Sequence, residues 1–273
     1  MEAVTNPLVD AIGVEHTPAD ANARIVSLVP SLTELLFDLG LGKNIVGRTT
    51  FCIRPASKVG AVPRIGGTKT VAFDRLAAAR PTHILVNIDE NLRDDVPKLE
   101  ALGAKVVVTH PQTAADNLPL YKLIGGLFNA REATNSLISR LQSALTDAQS
   151  AAGELPRRNV LYLIWRNPWM TISPDTYISA MLRTVNLHHV RTRSDARYPE
   201  IQFNDAAWKE ADLILLSSEP FPFKDKHATE LLENVPCTEG KIRFIDGEMT
   251  SWYGSRAIEG LTYLTKFARD INH

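Results

Sequence analysis

Apolar positions along this chain follow two alternating rhythms: short β-branched runs, and longer stretches with an apolar residue every three or four positions. Residues 24–29 (Arg-Ile-Val-Ser-Leu-Val) form a run that ends at Pro30-Ser31, after which Leu32, Leu35, Leu36 and Leu39 recur at helical spacing. A strand is therefore expected to hand over directly to a helix. Ser31 and Glu34 stand as in a capping box, and Gly40 and Gly42 mark the helix end. The grammar then repeats with a strand at 45–47, a loop at 60–68 containing Gly66-Gly67, and a helix at 73–79. Beyond Pro81 come a strand at 83–87, the turn Asp89-Glu90-Asn91, a helix at 94–102 closed by Gly103, and a strand at 105–109. Strand–helix alternation without tight hairpins argues for a parallel sheet with helices on its faces.

Residues 118–152 are almost wholly compatible with helix, with Leu137, Ile138, Leu141 and Leu145 on one stripe and Gly125-Gly126 as the weak point. A second series follows: strand 160–164, helix 176–184, strand 213–217, helix 227–234, strand 242–245 and helix 256–271. It echoes the first half in style and not in sequence. The expected fold class is α/β, with two parallel-sheet lobes joined by one long helix. The boundaries are an N-terminal lobe at 1–125, a connecting helix at 126–155 and a C-terminal lobe at 156–273. A helical join acts as a stiff strut where a Gly/Ser linker would swing freely, so small opening angles are expected.

Composition narrows the function classes. The 273 residues, 44% hydrophobic and 22% charged, suffice for two modest cores. The formal net charge is −1 with both signs spread along the length, which leaves no field to gather nucleic acid or anionic lipid. No apolar run approaches the roughly 18 residues of a membrane helix. Cys52 and Cys237 are the only cysteines, too few for a disulfide scaffold or a thiolate metal site, although one long-range disulfide stays open. Residues 1–10 carry no basic segment followed by an apolar stretch, so a cytoplasmic protein is expected as the sequence stands, and a periplasmic one if a start lies upstream.

Ligands of open parallel sheets sit beyond the carboxyl ends of the strands. The segments there are 49–54, 66–69, 89–91, 165–169, 218–223 and 246–256. From them come the candidate ligand-binding residues Lys69, Glu90, Asn91, Trp165, Arg166, Trp169, Glu219, Trp252, Tyr253 and Arg256. The three tryptophans offer stacking faces for a flat ligand, or else pack loop on sheet. Arg166 and Arg256 either clamp anionic groups or pair with Glu219 or Glu90. Glu219, held between an apolar strand and Pro220, is expected to take donors from a ligand or from one of those arginines. Gly66-Gly67-Thr68-Lys69 lacks the spacing of a phosphate loop, and the metalloprotease, hydrolase-elbow and zinc-ribbon patterns are absent. His188-His189 suits a surface or capping role better than a metal, and His227 suits a helix start. With no nucleophile–base pair legible, a binding protein is expected and an enzyme is not. The alternative is a cytosolic enzyme or cofactor-handling protein that reuses the two-lobed fold, with Glu90 or Glu219 as acid–base group. No intrinsic cofactor or protein-held metal is expected.

Residues 24–40, followed by Val46-Gly-Arg-Thr, resemble the opening of the helical-backbone metal receptors, the substrate-binding proteins of ABC importers for vitamin B12, siderophores and haem. Asp10-Ala-Ile-Gly13 resembles the short hairpin that often precedes that opening, and residues 73–85 and 99–107 resemble later passages, so the likeness runs from 10 to 270. Gly66-Gly-Thr-Lys, Ile164-Trp-Arg-Asn-Pro-Trp-Met, Ser218-Glu-Pro-Phe-Pro-Phe and Trp252-Tyr-Gly-Ser-Arg are most similar to its cobalamin-binding-like branch. The resemblance implies a monomeric receptor that closes two lobes over a metal chelate. Cobalamin or another corrinoid comes first as ligand, with iron–siderophore or haem next. It also implies an ABC permease as partner, docked through an acidic residue on each lobe, for which Asp74 and Glu259 stand as candidates. Such receptors work outside the cytoplasm, secreted or lipid-anchored.

Overall fold

The computed structural model describes residues 7–272. The chain forms two compact units: residues up to 111, 116–141 and 253–256 make unit 1, and residues 112–115, 142–252 and those from 257 onward make unit 2.

Unit 1 begins with a hairpin of β1 (Leu8–Val9) and β2 (Glu15–His16). Asp10 builds it. Its carboxylate accepts the N–H groups of Ile12 and Val14 at 3.0 Å, lies 3.1 Å from His16 Nε2, and accepts the N–H of Val108 at 3.1 Å, which staples the hairpin to the sheet. The sheet alternates with helices: β3 (Ile25–Ser27), α1 (Pro30–Asp38), β4 (Ile45–Arg48), α2 (Phe73–Ala78), β5 (His83–Asn87), α3 (Val96–Glu100) and β6 (Lys105–Thr109). Strand order is β4-β3-β5-β6, all parallel. Val26, Ile84, Val86, Val106 and Val108 share one face and pack with Leu76 of α2 and Leu99 of α3, while Ile25, Leu85 and Val107 are fully buried as well. Burial on both faces is why these strands read as unbroken β-branched runs.

Glu34 does not close the expected capping box. Val29 is the N-cap of α1, Pro30 occupies its first turn and no side chain caps it. Pro30 at the first helical position makes Ser31 the second residue of the helix and not its cap, and the Glu34 carboxylate is turned inward to a cation described below.

Residues 118–152 are not one helix. α4 (Asn117–Leu127) ends at Phe128, Asn129 adopts a left-handed φ of 57°, and α5 (Arg131–Glu154) follows. Gly125-Gly126 is not the break. It lies inside α4, where the side chains of Thr134 and Leu8 fill the space a Cβ at each glycine would need. These glycines serve close packing. The boundary between the units at 141/142 falls within α5.

Unit 2 holds β7 (Arg158–Trp165), β8 (Met170–Thr171), α6 (Tyr177–Arg183), β9 (Leu187–His189), α7 (Ala207–Glu210), β10 (Leu213–Ser217), α8 (Asp225–Asn234), β11 (Ile242–Ile245), α9 (Gly247–Ser251) and α10 (Arg256–Asp270). β9, β7, β10 and β11 run parallel in that order, and the two-residue β8 pairs antiparallel with the end of β7. Leu161, Leu163, Ile214 and Leu216 of β7 and β10 share a core with Trp208, Leu231 and Val235. The α/β class and the two parallel sheets thus stand as expected. Cys52 is buried, Cys237 is exposed, and neither is in a disulfide.

Candidate functional site

Counting the parallel strands alone, each sheet carries its first inside, its second on one flank, and its third and fourth on the other. The strand order therefore reverses between β3 and β5 in unit 1 and between β7 and β10 in unit 2. Crevices open at such switch points, outside the carboxyl ends of the strands.

In unit 1 the crevice edge is held by amides. Asn91 donates through Nδ2 to the carbonyls of Leu28 at 3.3 Å and Thr68 at 2.9 Å, while its Oδ1 accepts the N–H of Asn87 at 2.9 Å. Its side chain thus joins the ends of β3 and β5 to the 66–70 loop. Glu90 accepts the hydroxyl of Tyr253 at 2.8 Å. Burial, then the neighbouring Glu90 charge, pushes that phenol well up, so it stays a protonated donor. Arg256 lies against Glu34 in a buried two-pronged ion pair, with Nε 2.7 Å from Oε2 and Nη2 against Oε1. Between them, Gly254 donates its N–H to Asn117 Oδ1 at 2.6 Å and accepts the Tyr121 hydroxyl at 2.9 Å. Residues 253–256 are thus woven into unit 1. Lys69 is exposed on its loop.

The loop after β4 is fixed from below. The Arg48 guanidinium donates to the carbonyls of Val59, Cys52 and Thr49 at 2.9, 2.9 and 3.1 Å, and burial lowers its pKa. Cys52 is drawn in by the Thr33 hydroxyl at 3.1 Å, and burial pushes its thiol up. Phe51 and Ile53 of this loop remain exposed.

In unit 2, Trp165 stands exposed at the end of β7 with its ring edge-on to Phe221 at 5.7 Å. Trp169 does not join it. It is buried, stacked on Phe223 at 5.6 Å, and belongs to the unit 2 core. Arg166 makes a two-pronged pair with Glu230, both contacts at 2.7 Å, which raises its pKa. Glu219 accepts Trp252 Nε1–H at 2.6 Å and the Ser251 hydroxyl at 3.1 Å. Burial pushes its carboxyl up, and those two donors only partly offset this. The Glu219–Pro220 bond is cis. Below, the Tyr162 hydroxyl is bonded to Ser217 and Thr250 at 2.8 and 2.6 Å.

The expected partners of the arginines are Glu219 or Glu90; Arg166 pairs with Glu230, and Arg256 pairs with Glu34. Glu219 takes its donors from neither arginine. The physical reason is reach: Trp252 and Ser251, at the end of α9, already face the carboxylate. Sequence reasoning missed Glu34, and its signal was a carboxylate standing inside the Leu32/Leu35/Leu36 stripe of α1. His227 does start a helix, its Nδ1 accepting the Lys224 N–H at 2.9 Å. His189 lies in β9 rather than at a cap, buried beside the Thr171 hydroxyl at 3.0 Å, and burial lowers it to about 4. Among the described residues no group of three or more His, Cys, Asp or Glu stands where it could hold a metal ion, and no helix is long and apolar enough to cross a membrane.

A family model described as periplasmic binding protein matches residues 25–237. The chain is 23% identical over 271 residues to an uncharacterised ABC transporter substrate-binding lipoprotein, YvrC, of Bacillus subtilis, covering 94% of this chain and 83% of that protein. Among solved structures, the periplasmic vitamin B12-binding protein BtuF of Vibrio cholerae superposes with a TM-score of 0.78 at 15% identity, covering 91% of this chain and 97% of that one. The periplasmic haem-binding protein RhuT of Roseiflexus superposes with a TM-score of 0.75 at 18% identity, covering 92% and 99%. With more than three-quarters of its length matched by the family model and the same fold in both solved structures, the chain belongs to the periplasmic binding protein family.

Proposed function

We propose that this chain is the substrate-binding component of an ABC importer of metal chelates, with a corrinoid such as cobalamin as first candidate ligand and an iron–siderophore or haem next. The observation that carries the proposal is the family match over residues 25–237, which takes in both switch points. Similarity to proteins named for vitamin B12 and for haem supports the ligand class. The contacts proposed for the ligand are the exposed members of the candidate set, Trp165 and Lys69, with Glu90, Tyr253, Glu219 and Trp252 setting the loops around them. Catalysis forms no part of the proposal, because the two acid–base candidates are each engaged in holding a neighbouring aromatic residue. Relatives named as lipoproteins and periplasmic proteins favour work outside the cytoplasm over the cytoplasmic placement expected from the opening residues. Asp74 on α2 and Glu259 on α10 are exposed and serve as the proposed permease contacts of a monomer.

Tryptophan fluorescence tests this directly, since Trp165 is solvent-facing. Cyanocobalamin, hemin or a ferric siderophore is expected to quench emission after correction for absorbed light, with a matching calorimetric isotherm. Unchanged emission and no heat with all three overturn the proposal.

A further inference from the structure

Resting on the chelate-receptor proposal above, we infer that this chain recognises its ligand through apolar faces and neutral polar edges, and so takes a chelate fringed by amides in preference to one fringed by carboxylates.

Large apolar side chains stand in solvent at the carboxyl ends of the unit 1 strands: Phe51 at 59% and Ile53 at 49% after β4, Ile88 at 46% and Leu92 at 44% after β5. The loops that bear them are tied together. The Thr50 N–H donates to Gly66 O at 2.8 Å, and Asn91 donates to Thr68 O at 2.9 Å. A Cβ at Gly67 would stand 3.3 Å from the Phe51 ring. Arg48 grips three carbonyls beneath the first of these loops. Apolar side chains displayed on loops so firmly fixed, beside a switch point, mark a ligand surface more than a folding accident. Within unit 2, taken by itself, Trp165 is likewise exposed, at 40%, at a strand end.

The two arginines of the candidate set are each committed to a carboxylate of their own unit. Arg256 is consumed by Glu34 and Arg166 by Glu230, each through two contacts. A ligand carboxylate reaching either guanidinium must displace the resident one and, in unit 1, leave a buried anion without its cation. Glu90 and Glu219 already hold protein donors. An amide edge has no such need, because backbone carbonyls, backbone N–H groups and hydroxyls satisfy it. The cation that argues the other way is Lys69, exposed on the 66–70 loop. A single exposed ammonium gives weak, salt-screened attraction, which makes ionic strength the discriminating variable.

The test is calorimetric titration of the full chain with cyanocobalamin, hemin and ferric citrate, at about 0.05 and about 0.5 M salt. Cyanocobalamin is expected to bind tightest, with an affinity that changes less than about threefold with salt. Phe51→Ser combined with Ile88→Ser is expected to weaken it at least about tenfold with the melting curve unmoved. Tighter binding of hemin or ferric citrate that Lys69→Ala or high salt abolishes overturns the inference and leaves the receptor proposal standing. Undiminished cyanocobalamin affinity in the serine variant also overturns it. No binding of any of the three by folded protein overturns both.

Discussion

At the β3/β5 end of unit 1 the charges are folded inward, Arg256 against a buried Glu34 and Glu90 against Tyr253. At the β7/β10 end of unit 2 the corresponding pair, Arg166 with Glu230, stays in partial contact with water. The strand order is the same and the chemistry of the rim is not. Where the cation is supplied by a returning segment of chain, it serves the fold; where it is supplied by the strand end itself, it sits among aromatic rings at the surface. The same residue type, arginine after a strand or before a helix, therefore carries two different weights in the two units.

The largest effect expected from this contrast is on the buried pair. Arg256→Ala takes the paired cation away from the buried Glu34 carboxylate and is expected to destabilise by about 3–5 kcal/mol. Joining it to Glu34→Leu should recover most of the loss, as a double-mutant cycle in urea can show.

Next in size is an acid limb to the stability curve. Burial holds His83 in unit 1 and His189 in unit 2 at about 4, against an ordinary value of 6.5. The unfolded chain binds these protons first, so stability is full above pH 6.5 and falls as pH drops toward 4, by roughly 2–3 kcal/mol for each histidine. Urea midpoints measured across that window should flatten in His83→Gln and His189→Gln separately. A single variant that flattens the whole curve would show that one unit governs acid unfolding.

Glu219 sharpens the comparison with the opposite sign. Its raised carboxyl is favoured protonated in the fold, so its contribution is present below the ordinary carboxylate range and is lost as pH rises through the elevated folded value. Glu219→Gln keeps an acceptor for Trp252 and should leave the neutral-pH melting point level or higher. Glu219→Leu removes the acceptor of the Trp252 indole N–H, while the Ser251 hydroxyl keeps the Gly247 carbonyl at 2.8 Å, and should cost about 1–3 kcal/mol. A melting point lowered equally by both variants would mean that the charge, and not the acceptor, holds this loop.

The smallest effect is Arg166→Ala, whose half-exposed pair with Glu230 should contribute less than about 1 kcal/mol to stability. A loss as large as that of Arg256→Ala would erase the distinction between the two rims.

Strands were the most legible part of the sequence. The runs at 83–87, 105–109, 213–217 and 242–245 match their strands end for end, because short apolar runs, three of them almost wholly buried, are bounded by Pro, Gly or polar turns. The α4/α5 break escaped because no helix breaker marks Phe128–Ala130, while the conspicuous Gly125-Gly126 is there for packing. β8, β9 and α9 are too short to carry a period and are set by their tertiary neighbours. At the site, the strand ends located the right loops, but partners such as Glu34 and Arg256, 222 positions apart, belong to no local pattern. Trp169 read like a stacking platform, and its place in the core depends on Phe223, which only the fold brings beneath it.

The return of residues 253–256 to unit 1 bears on how the protein is made. During synthesis unit 1 stays incomplete long after residue 141 has emerged, since Glu34 waits for Arg256 and Asn117 for Gly254. At about 5–20 residues per second that interval is on the order of ten seconds. Unit 1 must sit through it with the cation of its buried ion pair still to come, so the nascent chain is held back from its final form until residue 256 has emerged. A gene fragment that stops anywhere before the codon for Tyr253 leaves that wait unending.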